Sequence, residues 1–289
     1  MIFRNAVKPH PRTLVLLSLL CSLMSLPAAA SSFSFSTGDP DGRIGTLSRP
    51  GGAGGVQTET ADDFILGAPT VINQATFTGL LPSGSPVSGI TQVEIEFYHV
   101  FPKDSVDPPS GHVTTRANSP GDVEIGSATR DSAAGTLSFT ATLLSPSFTV
   151  ANSVVNGINP FPNQTTGGEG PVTGEEVQIS VNFGSGVFLP ADHYFFRPEA
   201  LLSSGDFLLL STARPIAAPG TPFLPDLQSW IRNDNLAPDW SRVGADIVGG
   251  TTFNAAFSLS GDTVPEPGTS AMIGLGVILL FALRRHYAK

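Results

Sequence analysis

Between residues 31 and 263 apolar and polar side chains repeatedly alternate at a spacing of two, not three or four, and this periodicity predicts strands. The clearest stretch is Thr91 to Val100. There Val93, Ile95 and Phe97 point one way and Glu94, Glu96 and Tyr98 the other, the pattern of a sheet with one wet face. Val177, Ile179, Val181 and Phe183 interleave with Gln178, Ser180 and Asn182 in the same manner. Further strands are expected at Phe33 to Ser36, Thr60 to Leu66, Val71 to Thr78, Val123 to Ile125, Leu137 to Leu143, Phe188 to Phe196, Phe207 to Leu210 and Thr252 to Leu259. About nine to eleven short strands at this spacing predict an all-β fold, a single antiparallel β-sandwich or jelly-roll-like domain over residues 31–263.

Some segments break the alternation. Pro225 to Arg232 reads either as one or two helical turns or as an ordered excursion across the sandwich edge, with Trp230 and Trp240 as its anchors. Thr37 to Gly42 and Gly51 to Gly55 consist of turn formers. Pro102 to Asn118 and Ser153 to Gly174 are the long loops, and loops on a rigid scaffold are where binding usually sits.

Composition agrees with short strands joined by turns. Gly 31 and Pro 25 stand among 289 residues, of which only 13% are charged. With 24 acidic and 15 basic residues the formal charge is −9. A nucleic-acid partner would need a basic footprint, and the chain has none.

The ends of the chain carry a different signal. Arg4, Lys8 and Arg12 form a positive region, Leu14 to Leu26 an apolar one, and Ala28 to Ala30 a small-residue cleavage site. Residues 1–30 thus read as a signal peptide, with signal peptidase as a partner. Its removal takes away the only cysteine, Cys21, and moves the formal charge from −9 to −12. The exported body is then without disulfides and stands on its hydrophobic core.

At the other end, Val264, Pro265, Glu266, Pro267 and Gly268 precede an apolar run from Ala271 to Leu283 and the basic cap that begins with Arg284 and Arg285. The run is short of the roughly twenty residues that usually span a bilayer. It reads as a short transmembrane sorting helix within the tail 264–289, its cap holding the C-terminus in the cytoplasm.

This three-part tail resembles the PEP-CTERM sorting signal of Gram-negative bacteria. Gly268 stands where Ser or Thr is commoner. The resemblance implies recognition by an exosortase, transient anchoring in the membrane, cleavage near the motif, and delivery to the outer surface or an extracellular matrix. The body resembles, more weakly, the β-rich cargo domains of such proteins, through Glu59 to Phe64.

Candidate chemistry in the body is sparse. Trp230 and Trp240 bracket Arg232, Asp234 and Asn235, a set that could stack on a sugar face and hydrogen-bond its hydroxyls. Asp39, Asp41, Asp62 and Asp63 form a candidate weak calcium site of oxygen ligands near turns, with Glu169 and Glu175 flanking a long loop. Glu94 and Glu96 are paired carboxylates of the kind a glycoside hydrolase uses, and His99, His112, Asp104 and Asp107 gather around one loop. No Gly-x-Ser-x-Gly elbow or HExxH pattern is present. The expected function is that of an exported, exosortase-processed surface or biofilm-matrix protein with a non-catalytic β-domain that binds extracellular polysaccharide and needs no cofactor beyond a structural calcium ion. The alternatives are a secreted hydrolase of matrix polysaccharide and a protein–protein assembly module, the latter marked by a long unprotected edge strand.

Overall fold

Strand-length alternation builds two facing sheets. A computed structural model describes residues 30–52, 55–158, 161–162, 164–215, 227–264, 276 and 284. In chain order the strands are β1 (Ser32–Ser36), β2 (Pro40–Leu47), β3 (Thr58–Leu66), β4 (Thr70–Pro82), β5 (Ile90–His99), β6 (Arg130–Asp131), β7 (Ser138–Val150), β8 (Asn152–Val154), β9 (Val172–Leu189) and β10 (Asp192–Leu202). They continue with β11 (Leu208–Thr212), β12 (Trp230–Asn233), β13 (Ser241–Arg242), β14 (Asn254–Ala255) and β15 (Phe257–Thr263). A 3₁₀ turn at Val87–Gly89 and a π-helical turn at Val243–Val248 are the helical elements of the described body.

The nine-stranded sheet runs β1-β15-β4-β11-β2-β8; β14 pairs with β11, and β9 lies between β4 and β7. The six-stranded sheet runs β13-β12-β3-β10-β5-β6. Between them lies one large core. Phe77, Val177, Ile179, Phe257 and Leu259 come from the larger sheet, and Phe64, Val93, Ile95, Phe97, Tyr194 and Phe196 from the smaller, all nearly or fully buried. Ser32–Thr263 forms a single compact unit with this core inside it, so this span is expected to fold on its own.

Several expectations are corrected. The domain is a mixed two-sheet all-β structure, not a purely antiparallel sandwich or jelly roll, because β2 and β8 pair in parallel, Ile44 with Asn152 through Thr46 with Val154. Neither sheet closes on itself into a barrel. Among the described residues no helix is long and apolar enough to cross a membrane, so the expected C-terminal transmembrane sorting helix is not found among them. Within its apolar run and cap only Gly276 and Arg284 are described, both helical, and the rest lies outside the described residues, as does the signal peptide up to residue 29.

Pro40–Leu47 is a strand where turn formers suggested a loop, because Ile44, Gly45, Thr46 and Leu47 find partners in β11 and β8. Val123 to Ile125 is not a strand. The expected strand Phe188 to Phe196 is split by a turn at Pro190 and Ala191. Its first part belongs to β9, which runs through a bulge against β4 where Gly184 and Gly186 take positive φ of 62° and 74°. Trp230 to Arg232 is strand, pairing Trp230 with Ala61 and Arg232 with Glu59. Pro225 and Asp226 lie outside the described residues.

Candidate functional site

The side chains with most chemical potential stand on the outer face of the six-stranded sheet. The two-residue period that sends Phe64, Phe97 and Phe196 into the core sends Glu59 and Asp63 of β3, Glu94, Glu96 and Tyr98 of β5, and His193, Arg197 and Glu199 of β10 to the opposite side. Arg232 joins them from β12. This face is not wet, contrary to the reading of β5. Glu96 is 8% and Tyr98 0% exposed, because Asp122, Pro238 and Trp240 of two connecting segments fold across it.

Arg197 is fully buried at the centre of the array. Its guanidinium lies 3.2 Å from Glu59 and 3.4 Å from Glu94, and also contacts Glu96 and Glu199. Arg232 pairs with Glu59, donates to the Tyr98 hydroxyl at 3.0 Å, and lies 4.3 Å from the Trp240 ring centroid. The Tyr98 hydroxyl in turn stands 2.5 Å from Glu96 Oε2 and 3.1 Å from Glu59 Oε1.

This crowding separates the acids. Burial pushes Glu94 up to about 7 against the pull of Arg197, helped by a hydrogen bond with Glu96 and by the charges of Glu96 and Asp131. Burial raises Glu199 well above the usual carboxylate range, with Arg197 opposing. Burial also disfavours the charged form of Glu59, but Arg197 and Arg232 outweigh it and hold that acid low. Glu94 and Glu96 both pair with the Arg197 guanidinium, so the two carboxylates belong to one ion cluster.

Beside this array, Asp63 accepts from His193 Nε2 at 2.7 Å and from the Leu227 amide at 3.0 Å, and pairs with Arg214. Asp62, one residue away on the other face, accepts from Ser229 and from the amides of Asp63 and Ala255. Asp41 accepts from Ser211 and the Arg43 amide, and Asp39 is exposed. The four aspartates of the candidate calcium site thus do not converge, and among the described residues no cluster of three or more acidic or histidine side chains is arranged to hold a metal. Glu169 accepts from three successive amides, Val155, Asn156 and Gly157, at 2.6–2.7 Å and so closes its own loop.

Of the carbohydrate candidates, Trp230 and Trp240 are each 1% exposed, so neither offers a ring face at the surface, and Arg232 is buried against the Trp240 ring and paired with Glu59. Asp234 and Asn235 are exposed but separated from any accessible indole. His99 does meet Asp104, at 3.1 Å, with Asp192 on its other nitrogen at 3.5 Å, while His112 and Asp107 do not join them. Burial and the neighbouring Lys103 lower the His99 pKa despite the two aspartates, so the ring is neutral near pH 7.

The two long loops converge elsewhere. His112, Val113 and Thr114 of the first and Phe161 and Gln164 of the second line one cleft with Ser241, Asp246 and Ile247. The amides of Thr166 and Gly167 donate to the Ile247 carbonyl at 3.0 Å, which ties the second loop to the π-helical turn. The Phe161 ring is 61% exposed at this cleft. Its cavity volume is about 10 Å³, room for about one water and far below the roughly 300–1,000 Å³ of ligand pockets, so it is a shallow surface cleft and not an enclosed pocket. Periodicity could not find it, because its members come from three irregular segments.

Val264, the first residue of the sorting motif, follows β15 and is 37% exposed; Pro265, Glu266, Pro267, Gly268 and Arg285 lie outside the described residues, and Arg284 is exposed. Residues 263–285 match the PEP-CTERM protein-sorting motif. The motif marks an exosortase-linked sorting pathway, and with it a secreted, surface-linked protein. No curated protein and no solved structure matches the chain.

Proposed function

We propose that this chain is an exosortase substrate of a Gram-negative bacterium, exported after signal peptidase removes residues 1–30, and that its body serves as a non-catalytic component of the cell surface or biofilm matrix. The observation that carries the reading is the motif at residues 263–285 directly after the last strand of a compact domain. The arrangement of the carboxylates supports a structural body: the acids of the outer face are closed over by Arg197, Arg232, Tyr98 and Trp240 and face no open cleft. The test is to tag the chain at its C-terminus and express it in a host with and without an exosortase. Loss of the tag from surface-recovered protein only when the enzyme is present supports the proposal; a surface form that keeps the tag in both hosts overturns it.

Polysaccharide binding is the second reading, and the exposed Phe161 at the rim of the cleft favours it. An exposed aromatic ring beside His112, Thr114 and Gln164 is the combination that stacks on a sugar and hydrogen-bonds its hydroxyls. Binding of residues 32–263 to purified extracellular polysaccharide, lost in Phe161→Ala and kept in Asp234→Ala, is the expected result. Equal binding by both variants would remove the cleft from the account.

A further inference from the structure

β7 is an edge strand, and among the described residues no strand, charge, proline or bulge protects the open side of its first half. It pairs with β9 on one side, and among the described residues no strand pairs with its other side. From Ser138 to Leu143 the register against β9 is regular, Ser138 with Asn182 through Leu143 with Val177. Outside that pairing, no backbone hydrogen bond is made by this stretch among the described residues. Edge strands are usually protected by charge, proline or a bulge. Here the bulges and Pro146 come only after Leu143, and no charged residue occurs from Ser132 to Gly168, although the chain carries −9 overall.

The side chains suit a particular partner. Phe139 and Ala141 are half-buried against the main core, and Leu143, on the same face by the two-residue period, is 44% exposed. Thr140 and Thr142 stand exposed on the other face. A two-fold axis through Ala141, perpendicular to the sheet, keeps inner face with inner face. It sets Phe139 opposite Leu143 of the second copy, Thr140 opposite Thr142, and Ala141 opposite itself. Aromatic–aliphatic and Thr–Thr pairs are favourable cross-strand neighbours, and an isologous contact of this kind closes as a dimer. In an acidic chain this uncharged edge is also where two copies meet with least repulsion.

We infer that two copies of this chain associate through antiparallel pairing of Phe139–Leu143, joining their larger sheets into one. The contact is short, so the association is expected to be reversible and concentration-dependent. Since it rests on the edge and not on the tail, it stands or falls separately from the sorting proposal.

Sedimentation velocity of residues 32–263 at about 1 to several hundred micromolar, a range set to bracket a weak interface, should show a monomer passing into a dimer. Thr140→Lys/Thr142→Lys places lysines opposite lysines and should leave a monomer with an unchanged circular dichroism spectrum. Mixing it with Thr140→Asp/Thr142→Asp should restore a dimer of one copy each. Because the span contains no cysteine, Ala141→Cys gives a readout of register that does not depend on either charged variant. Opposed Cα atoms about 4.5–5.5 Å apart oxidise readily to a disulfide-linked dimer, whereas Ala133→Cys, exposed in the turn before the strand, should not. A wild-type span that stays monomeric throughout, a dimer indifferent to the lysines, or cross-linking no faster at 141 than at 133 overturns the inference.

Discussion

Replacing Arg197 by methionine removes the positive charge from the centre of the outer-face array while keeping much of its volume. Four carboxyl groups then share what remains: Glu59 keeps Arg232 and Glu96 keeps the Tyr98 hydroxyl, but Glu94 and Glu199 lose their guanidinium altogether. Breaking one partner out of a buried ion pair costs about 3–5 kcal/mol, because the counter-charge is left desolvated. Against a total stability of about 5–15 kcal/mol that is a large fraction. With a urea m-value of roughly 2–3 kcal/mol/M it moves the unfolding midpoint down by about 1–2.5 M. Emission from Trp230 and Trp240, both buried in the native state, reports the transition.

The sign of the pH dependence makes the test sharper. Glu94 and Glu199 are already raised with Arg197 opposing the shift, so without Arg197 their folded-state pKa values rise further above the unfolded ones. Their contribution is then fully present below the unfolded pKa and lost as pH rises through the folded one. The defect should be largest above pH 7 and smallest near pH 5, and adding Glu94→Gln and Glu96→Gln should recover part of it at pH 7. A variant within about 1 kcal/mol of the parent at pH 7, or a defect that grows on acidification, would refute the reasoning.

Three further outcomes follow from the same geometry. Glu94, raised from 4.5 to about 7, stabilises the fold below the lower value and loses that contribution as pH climbs through the upper one; Glu94→Gln should therefore flatten the fall in urea midpoint between pH 5 and pH 8. Trp240→Ala removes an indole that packs on Arg232 and Tyr98 and donates to the Gly121 carbonyl, which should cost about 3–5 kcal/mol in denaturant melts, with Trp240→Phe milder. Gly79→Ala drives its new methyl into the buried Phe207 ring; the resulting overpacking should cost about 1–3 kcal/mol, and Phe207→Leu in the same chain should restore part of the melting temperature.

What the sequence discloses and what it hides divide along a physical line. Strands whose core face alternates strictly, such as β5 and the first part of β9, are legible because periodicity is a local property. β2 is hidden, since Pro40, Gly42 and Gly45 disguise a strand whose partners lie in β8 and β11, far along the chain. The acids of β3 and β5 mislead for the same reason. Glu59, Glu94 and Glu96 look solvated until Arg197 and Arg232 arrive from strands over a hundred residues later, and nothing in local pattern states that pairing. Trp230 and Trp240 look like a sugar platform because bracketing polar residues are visible in sequence, whereas burial of both indoles depends on β3, β5 and the 119–122 segment.

The same division governs the functional reading. A sorting signal works as a linear string, so residues 263–285 can be recognised without any knowledge of the fold. A binding or assembly surface has no such string. The cleft at Phe161 exists only because two loops meet over the π-helical turn, and the open edge of β7 only because β9 pairs on one side and nothing described pairs on the other. The residues from Ser132 to Gly168 supply both Phe161 and β7, and they are also the stretch from which charge is absent. The proposed binding cleft and the proposed assembly edge thus draw on one uncharged segment, which lies between the end of β6 and the start of β9.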